Sequence, residues 1–491
     1  MITEINQSPL YSIANPKSIA FFGASNNFSA MGSNIFQSIF DLGFEGELYP
    51  VHPKEENVQG YKAYRDIMDL PVVPDLVIFV LPTRLICDTM EACGKKGIKH
   101  AIVVTAGFRE VGGEGLALEE KLKGIAQKYG IRFAGPNCLG VVNTHKKLNT
   151  TFLNMEGKPG FIGLASQSGS LVTQMFNYLA ELGVGFSTAF SIGNGASVDL
   201  VDCLEYLGAC PDTKVIGMYV EGIDRGREFV EVARAVSLKK PIVALYVGGS
   251  ETGRKATFSH TGSMAGPDKL YDGILRQSGV IRARSITELF DYCRILGELP
   301  VPQGNRIAIQ THSGGPGAAA ADACGREGLE LPNFPQETID AISEFIPQTG
   351  SINNPVDLTY SKDQKAFFMG IPDALLRSDV VDMLLMYYLV PDRMLKEALG
   401  QIGNSEADDE NQNMDVLNDY VAYMAQMLRQ HKKPLVGFTF RNLSEIFPQA
   451  LMANGIPIFS SPEQGVRALK SLVTYSRLNQ KIQLQEKNLA S

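Results

Sequence analysis

The stretch SIAFFGASNN (Ser18–Asn27) decides the fold. Ile19 to Phe22 is an apolar run with no polar residue alternating through it, as a strand buried on both faces requires. It runs straight into glycine and small polar residues, which is how a strand gives way to a turn at its carboxyl end. The same grammar returns in GFIGLASQSGS (Gly160–Ser170) and in RIAIQTHSGGPGAAAADAC (Arg306–Cys324). Around each block lie further continuous Val/Ile/Leu runs. DLVIFVLP, HAIVVTAGF and IRFAGPN accompany the first, KVIGMYVEG and KPIVALYVGG the second, VDMLLMYYLV and KPLVGFTF the third. Helical patterns such as ALEEKLKGIAQKYG separate them. Strands alternating with helices predict parallel sheets covered on both faces, an α/β chain of doubly wound domains.

At roughly 150 residues per domain, the 491 residues suggest about three domains. Pro/Gly-rich or polar joints at Asn143–Gly160 and at LGELPVPQGNR (Leu296–Arg306) place the boundaries at 8–145, 150–300 and 303–475. The acidic run NSEADDENQNMD (Asn404–Asp415) reads as a solvated insertion, and the polar tail from Asn479 as a fraying helix end. A net charge of -8 argues against a nucleic-acid coat. The seven cysteines form no C-x-x-C pair and read as reduced core residues of a cytoplasmic protein. No apolar run reaches the ~18 residues of a membrane helix, and the first residues lack the pattern of a signal peptide.

In doubly wound sheets ligands sit at the carboxyl ends of strands, where helix N-termini offer free N–H groups to anions. The first turn, Gly23-Ala24-Ser25 with Gly32 beyond, departs from G-x-G-x-x-G. The next strand ends in YPVHPKEE, where Lys54 suits a phosphate better than a ribose diol. A nicotinamide oxidoreductase is therefore disfavoured. ASQSGS presents Ser166, Ser168 and Gly169 as hydroxyl and N–H donors for a phosphoryl group, or as a plain helix cap. Walker, H-E-x-x-H and G-x-S-x-G patterns are all missing, so ATP-loop, zincin and hydrolase-elbow chemistry are unsupported, and no protein metal site is expected. In KATFSHTGSMAG (Lys255–Gly266), His260 stands among hydroxyls and glycines just before a helical pattern. An imidazole there is poorly placed to be a cation and well placed to carry an anion. A capping role is the plainer alternative.

Taken together, FFGAS, YPVHPK, VTAGFREVGGEG, AGPNCLGVVN, SQSGS, SIGNGASVDLVDCLEYL, SHTGSMAG, GGPG and NPVDL resemble the CoA-binding alpha part of the nucleoside-diphosphate-forming acyl-CoA synthetases. These include ADP-forming acetate–CoA ligase and, more distantly, succinyl-CoA ligase. The resemblance spans residues 8–475. It implies a Rossmann-like CoA-binding domain followed by two flavodoxin-like domains. It implies an enzyme, an acid–thiol ligase that converts acyl-CoA, ADP and phosphate to acid, CoA and ATP. The phosphoryl group would pass from an acyl phosphate to a phosphohistidine at His260, with Glu221 steadying the ring. Gly23, Ala24, Ser25, Asn26, Lys54, Pro82, Thr105, Ala106, Gly107 and Phe108 would hold CoA. Asn137, Ser166, Gln167, Ser168, Gly169 and Gly262 would hold the acyl and phosphate groups. ADP/ATP and Mg2+ would sit on a separate ATP-grasp beta subunit, in an alpha2beta2 assembly.

Three departures bear on the acid rather than on the chemistry. THSGGPG carries His312 and Ser313 where the family has Asn and Gly, GNGASVD replaces a Lys-Ala-Asp run, and Thr173 falls where succinyl-CoA ligases place an aromatic residue. Small Thr173 and the lack of a further cation beside Ser166–Gly169 predict a short monocarboxylic acid such as acetate. The competing reading is a non-catalytic CoA- or acyl-CoA-binding regulatory module, which would have no use for His260 with Glu221.

Overall fold

The computed structural model describes residues 2, 4–155, 159–255, 266–359, 361, 363–389 and 408–490. The chain forms two compact units, Met1–Cys293 with Ile482–Ser491, and Arg294–Lys481.

The first unit holds two large sheets. In the first, β1 (Ser18–Phe22), β2 (Glu47–Val51), β3 (Leu76–Phe79), β4 (His100–Val103) and β5 (Arg132–Ala134) run parallel in the order β2-β1-β3-β4-β5. The opening stretch explains itself here. Ile19 and Phe21 enter one apolar cluster while Ala20 and Phe22 enter another, so β1 is buried on both faces. At ~25 cal/mol per Å² of apolar surface, such two-sided burial is the main force holding the sheet.

The second sheet comprises β6 (Gly140–Asn143), β7 (Leu148–Asn149), β8 (Ile162–Ser166), β9 (Phe186–Ser191), β10 (Val215–Val220), β11 (Ile242–Tyr246) and β12 (Ile281–Ala283). Their order is β12-β11-β10-β8-β9-β6-β7. The boundary at residue 145 places β6 in the first domain, but β6 pairs antiparallel with β9, Ser191 opposite Gly140, and extends the second sheet. Its apolar residues are satisfied there because Val141 joins the cluster containing both Phe21 and Phe190. That cluster is continuous from the first sheet to the second, which is why both belong to one compact unit.

The second unit contains β13 (Ile307–Thr311), β14 (Val356–Asp357), β15 (Met383–Tyr387), β16 (Leu435–Phe438) and β17 (Ile458–Phe459), all parallel, ordered β14-β13-β15-β16-β17. Leaving aside the antiparallel pair β6–β7, all three sheets share one winding: the second strand, the first, then the third, fourth and fifth. In each, the small-residue turn follows the first strand, where the strand order reverses. That is the position at which such sheets form their crevice.

Two readings of polar segments change. The acidic insertion overlaps a helix, Asp408–His431, and the tail from Asn479 continues the helix Pro462–Ala490. Near its end Gln485 accepts a hydrogen bond from Arg234 at 3.1 Å, a partner no local pattern announces.

Candidate functional site

At the end of β1 the chain enters the turn Gly23–Asn26, followed by α1 (Met31–Asp41). Gly23 has φ +101, and a Cβ there would lie 2.0 Å from the Val80 carbonyl oxygen. The turn is tied to α1 by the Ser25 N–H and hydroxyl, 3.1 and 3.2 Å from Ser33 Oγ. Asn26 is fully engaged with the protein. Its Oδ1 accepts from Gln59 N at 2.8 Å, and its Nδ2 donates to Asn57 O at 2.9 Å and to Glu55. The Asn26 side chain therefore braces the turn. Ala24 is buried. Lys54 is exposed, and its ammonium has no partner among the described residues.

The ends of β3 and β4 make the opposite wall. Thr105 Oγ1 donates to Leu81 O at 2.7 Å and accepts from Leu81 N at 3.2 Å. Pro82 opens α2 (Thr83–Lys96), and Thr83 Oγ1 donates to Ala106 O at 2.7 Å. Gly107 N and Phe108 N both donate to Glu110 Oε1, at 2.5 and 3.1 Å. Phe108, which the resemblance assigns to CoA, has its ring fully buried in the cluster behind the first sheet, so its side chain is a core residue.

A cavity of about 510 Å³ opens between the start of α1, the ends of β3 and β4 and the second sheet; Gly23–Asn26, Lys54, Pro82, Gly107 and Phe108 are not among its lining residues. Its walls include Met31, Val80, Leu81, Val104, Leu139 and Phe152, with Thr105, Asn137, Gln167, Ser168 and Ser170 as polar members. Among the described residues, no charged one is in its lining. Ser166 was expected to contact the ligand. It is fully buried, its hydroxyl donating to Ser168 O at 2.7 Å and accepting from Ser168 N at 3.1 Å, so it builds the turn instead. Ser168 and Gly169 do line the cavity, at the start of α3 (Gly169–Glu181). Thr173 is buried one turn on, donating to Ser170 O at 3.1 Å, and is not among the lining residues.

Gln167 joins this turn to the end of β10. Its Oε1 accepts from Glu221 N at 2.6 Å and Gly222 N at 3.1 Å. That fixes the amide plane and leaves the NH2 group without a partner among the described residues. Glu221 is 5% exposed. His260 and Gly262 lie outside the described residues. The elements flanking them are anchored beside Glu221: Tyr246, at the end of β11, stacks on Tyr271 of α4 (Asp268–Gln277) at 3.6 Å and 6°. The Tyr271 hydroxyl accepts from Ile223 N at 3.2 Å, and the Tyr246 hydroxyl donates to Gly266 O at 2.8 Å. Below them Arg225 Nε donates to Asp199 Oδ2 at 2.6 Å and pairs with Asp202 at 3.0 Å. Burial alone would raise the Asp199 carboxyl. Arg225 and two backbone N–H groups outweigh it and hold the group below the usual carboxylate range.

Residues the motif reading missed complete the site. Cys138 is in the cavity wall, but burial pushes its thiol up to about 12, and Sγ lies 3.4 Å from Val103 O. It is a neutral wall residue, not a nucleophile. Asn194 gathers Glu110, Glu119 and Asn137 around its buried side-chain amide, and its backbone carbonyl accepts from Arg109. Among the described residues no cluster of His, Cys, Asp and Glu is arranged for a metal ion, and no helix is long and apolar enough to cross a membrane.

Comparison with known proteins agrees with this fold. Residues 17–144 match a CoA binding domain, 159–296 a succinyl-CoA ligase like flavodoxin domain, and 307–394 a ligase-CoA domain. The chain is 37% identical to the alpha subunit of ADP-forming acetate–CoA ligase II of Pyrococcus furiosus, over 94% of this chain and 97% of that one. It is 36% identical to ADP-forming acetate–CoA ligase I of Archaeoglobus fulgidus, covering 96% of this chain and 64% of that longer protein. The solved dinucleotide-forming acetyl-coenzyme A synthetase 1 of Ca. Korarchaeum cryptofilum, in complex with phosphate and ADP, superposes with a TM-score of 0.85 at 31% identity. It covers 97% of this chain and 98% of that one.

Proposed function

Because this chain belongs to the ADP-forming acetate–CoA ligase family, where it corresponds to the alpha subunit, we propose that it acts on short, uncharged monocarboxylic acyl groups through a phosphohistidine at His260. The observation that carries the acyl class is the cavity. Its wall is apolar at Met31, Val80, Leu139 and Phe152, and no charged residue lines it among the described residues. A second carboxylate, as in succinate, would be buried there without a cation, at a cost of several kcal/mol. Thr173 does not line the cavity, so the preference rests on the apolar walls.

In this reading CoA lies along the Gly23–Asn26 turn and the Thr105–Gly107 turn, with Lys54 toward a phosphate and the thioester in the cavity. Inorganic phosphate attacks the thioester carbonyl, releasing CoA thiol and forming an acyl phosphate. The Gln167 NH2 group, Ser168 and the N–H groups opening α3 receive the phosphoryl oxygens, as donors aimed where charge develops. The imidazole of His260 displaces the acid from the acyl phosphate and carries the phosphoryl group. Glu221, held at the backbone by Gln167, orients the ring and fixes its tautomer. The phosphoryl group then passes to ADP. We assign the nucleotide and its Mg2+ to an ATP-grasp beta subunit, in an alpha2beta2 assembly, in line with the alpha-subunit names of the Pyrococcus relatives.

A panel of acids tested with the chain and its beta partner addresses the proposal. Acetate and its near homologues, including a branched acid, should turn over within about 10–200-fold of one another, because an apolar pocket discriminates weakly among methylenes. Succinate should be the poorest. Succinate as the preferred acid would overturn the reading.

A further inference from the structure

We propose that Asn194 is a positioning residue: it sets the side-chain amide of Asn137 so that the Asn137 carbonyl oxygen faces the cavity as acceptor for the thiol of CoA. The proposal rests on the CoA site described above and concerns how its reacting end is held.

The argument starts from groups that have only one hydrogen-bonding role. Asn194 is 2% exposed. Its Nδ2 donates to Glu110 Oε2 at 2.7 Å and to Glu119 Oε2 at 2.8 Å. Ionised carboxylates only accept, so the amide of Asn194 has one permitted orientation, nitrogen toward the two acids and oxygen away. Its Oδ1 lies 3.3 Å from Asn137 Nδ2. An amide oxygen also only accepts, so Asn137 must turn its NH2 toward Asn194. The carbonyl oxygen of Asn137, a residue of the cavity wall, is then left without a protein partner among the described residues.

The backbone holds the relay rigid. Asn137 has φ +58, and its N–H donates to Thr105 O at 3.0 Å. Asn194 N donates to Pro136 O at 2.9 Å, and the Asn194 carbonyl accepts from Arg109. Glu110 spends its other oxygen on Gly107 N and Phe108 N. Thus the turn assigned to CoA and the Asn194 amide share one carboxylate, and Asn194 passes that constraint to Asn137 at the cavity wall. The reacting partners sort by the same logic. An ionised acyl phosphate offers acceptors and is served by donors, the Gln167 NH2 group and the start of α3. The thiol is the donor of the reaction, and Asn137 Oδ1 is its complement on the facing wall.

The test compares CoA with desulfo-CoA, which lacks only the sulfur, by calorimetry on the full chain. The wild type should bind CoA about three- to tenfold more tightly, the range of one modest hydrogen bond. Asn194→Asp keeps the shape but removes the donors, and Asn137→Ala removes the acceptor. Both should bring the ratio of the two affinities to about one, with desulfo-CoA affinity changed less than the ratio. Asn194→Asp places a third carboxyl among two, so Glu110→Gln serves if that variant does not fold. Glu110 uses both oxygens as acceptors, and a Gln in either orientation sets an NH2 against a donor. A wild-type ratio near one overturns the proposal, as does a folded Asn194→Asp or Glu110→Gln that keeps the wild-type ratio. So does equal weakening of both ligands, which is what a merely structural role predicts. A wild type that binds neither ligand overturns the CoA site itself and the proposal with it.

Discussion

Gly32→Ala separates the integrity of the fold from the geometry of the CoA turn. Gly32 is the second residue of α1, and a Cβ there would lie 2.1 Å from the Gly23 carbonyl oxygen and 2.8 Å from its carbon. Both are backbone atoms, so no side chain can swing aside. The helix start and the turn must separate by more than about 1 Å before the contact becomes an ordinary one. Two terms then oppose each other in stability. Overpacking of this kind costs ~1–3 kcal/mol, while Ala in place of Gly returns up to ~1 kcal/mol of helix propensity. The net loss should be about 0–3 kcal/mol, small enough for the chain to fold. Binding has no such compensation. A hydrogen bond of ~2.9 Å stretched by 1 Å is lost, and each one to a phosphate is worth ~1.5–3 kcal/mol. CoA affinity should therefore fall about ten- to a hundredfold. Calorimetric titration with CoA, beside urea unfolding of the same samples, measures both. A folded Gly32→Ala protein with wild-type CoA affinity would refute the placement of the ligand phosphates at this turn.

Lys54→Ala should weaken CoA binding by up to about tenfold at low salt, with the difference shrinking at 0.5 M salt because an exposed charge is screened; an unchanged affinity at low salt would remove Lys54 from the site. In the second unit His312 is buried and stacks on Phe367 at 3.8 Å, and burial pushes its imidazole down to about 4. Against ~6.5 in the unfolded chain, the unfolded state binds a proton between these values that the folded state refuses. The associated stability is complete above pH ~6.5 and is lost as the pH falls toward 4. In urea unfolding at pH 7 and pH 4.5, His312→Gln should therefore lose less stability than the wild type; parallel losses would contradict the burial argument.

The architecture was legible where one residue type answers one physical demand. Runs such as IAFF and IVALY announce strands because both faces are buried, and GAS and SQSGS announce turns because the chain must reverse at a strand's end. The ribbon β6–β7 was not legible. GVVN follows IRFAGPN without a break in composition, and its transfer to the second sheet depends on pairing with Phe186–Ser191, more than 40 residues on. The same limit applies within the site. SQSGS announced a turn, which lines the cavity, but could not reveal that Ser166 faces inward and Gln167 outward. TAGF likewise concealed that Phe108 belongs to the core. The Asn194 hub joins residues 84 and 75 positions apart in the chain. A buried polar amide surrounded by acids is a tertiary event, and neither GNGAS nor FREVGGEG carries a local trace of it. Cys138 illustrates the converse, since its sequence reading as a core thiol suffices for the environment it occupies.

The central claim is that this chain passes a phosphoryl group through His260, and one labelling experiment tests it most directly. The full chain is incubated with acetyl-CoA and 32P-phosphate, quenched in alkali and analysed by peptide mapping. The account predicts acid-labile, base-stable label on the peptide containing His260, dependent on acetyl-CoA, absent in His260→Ala and strongly slowed in Glu221→Gln, while CoA still binds both variants. Label on a serine, no label in a chain that binds CoA, or undiminished labelling of His260→Ala would contradict it and favour a CoA-binding regulatory module.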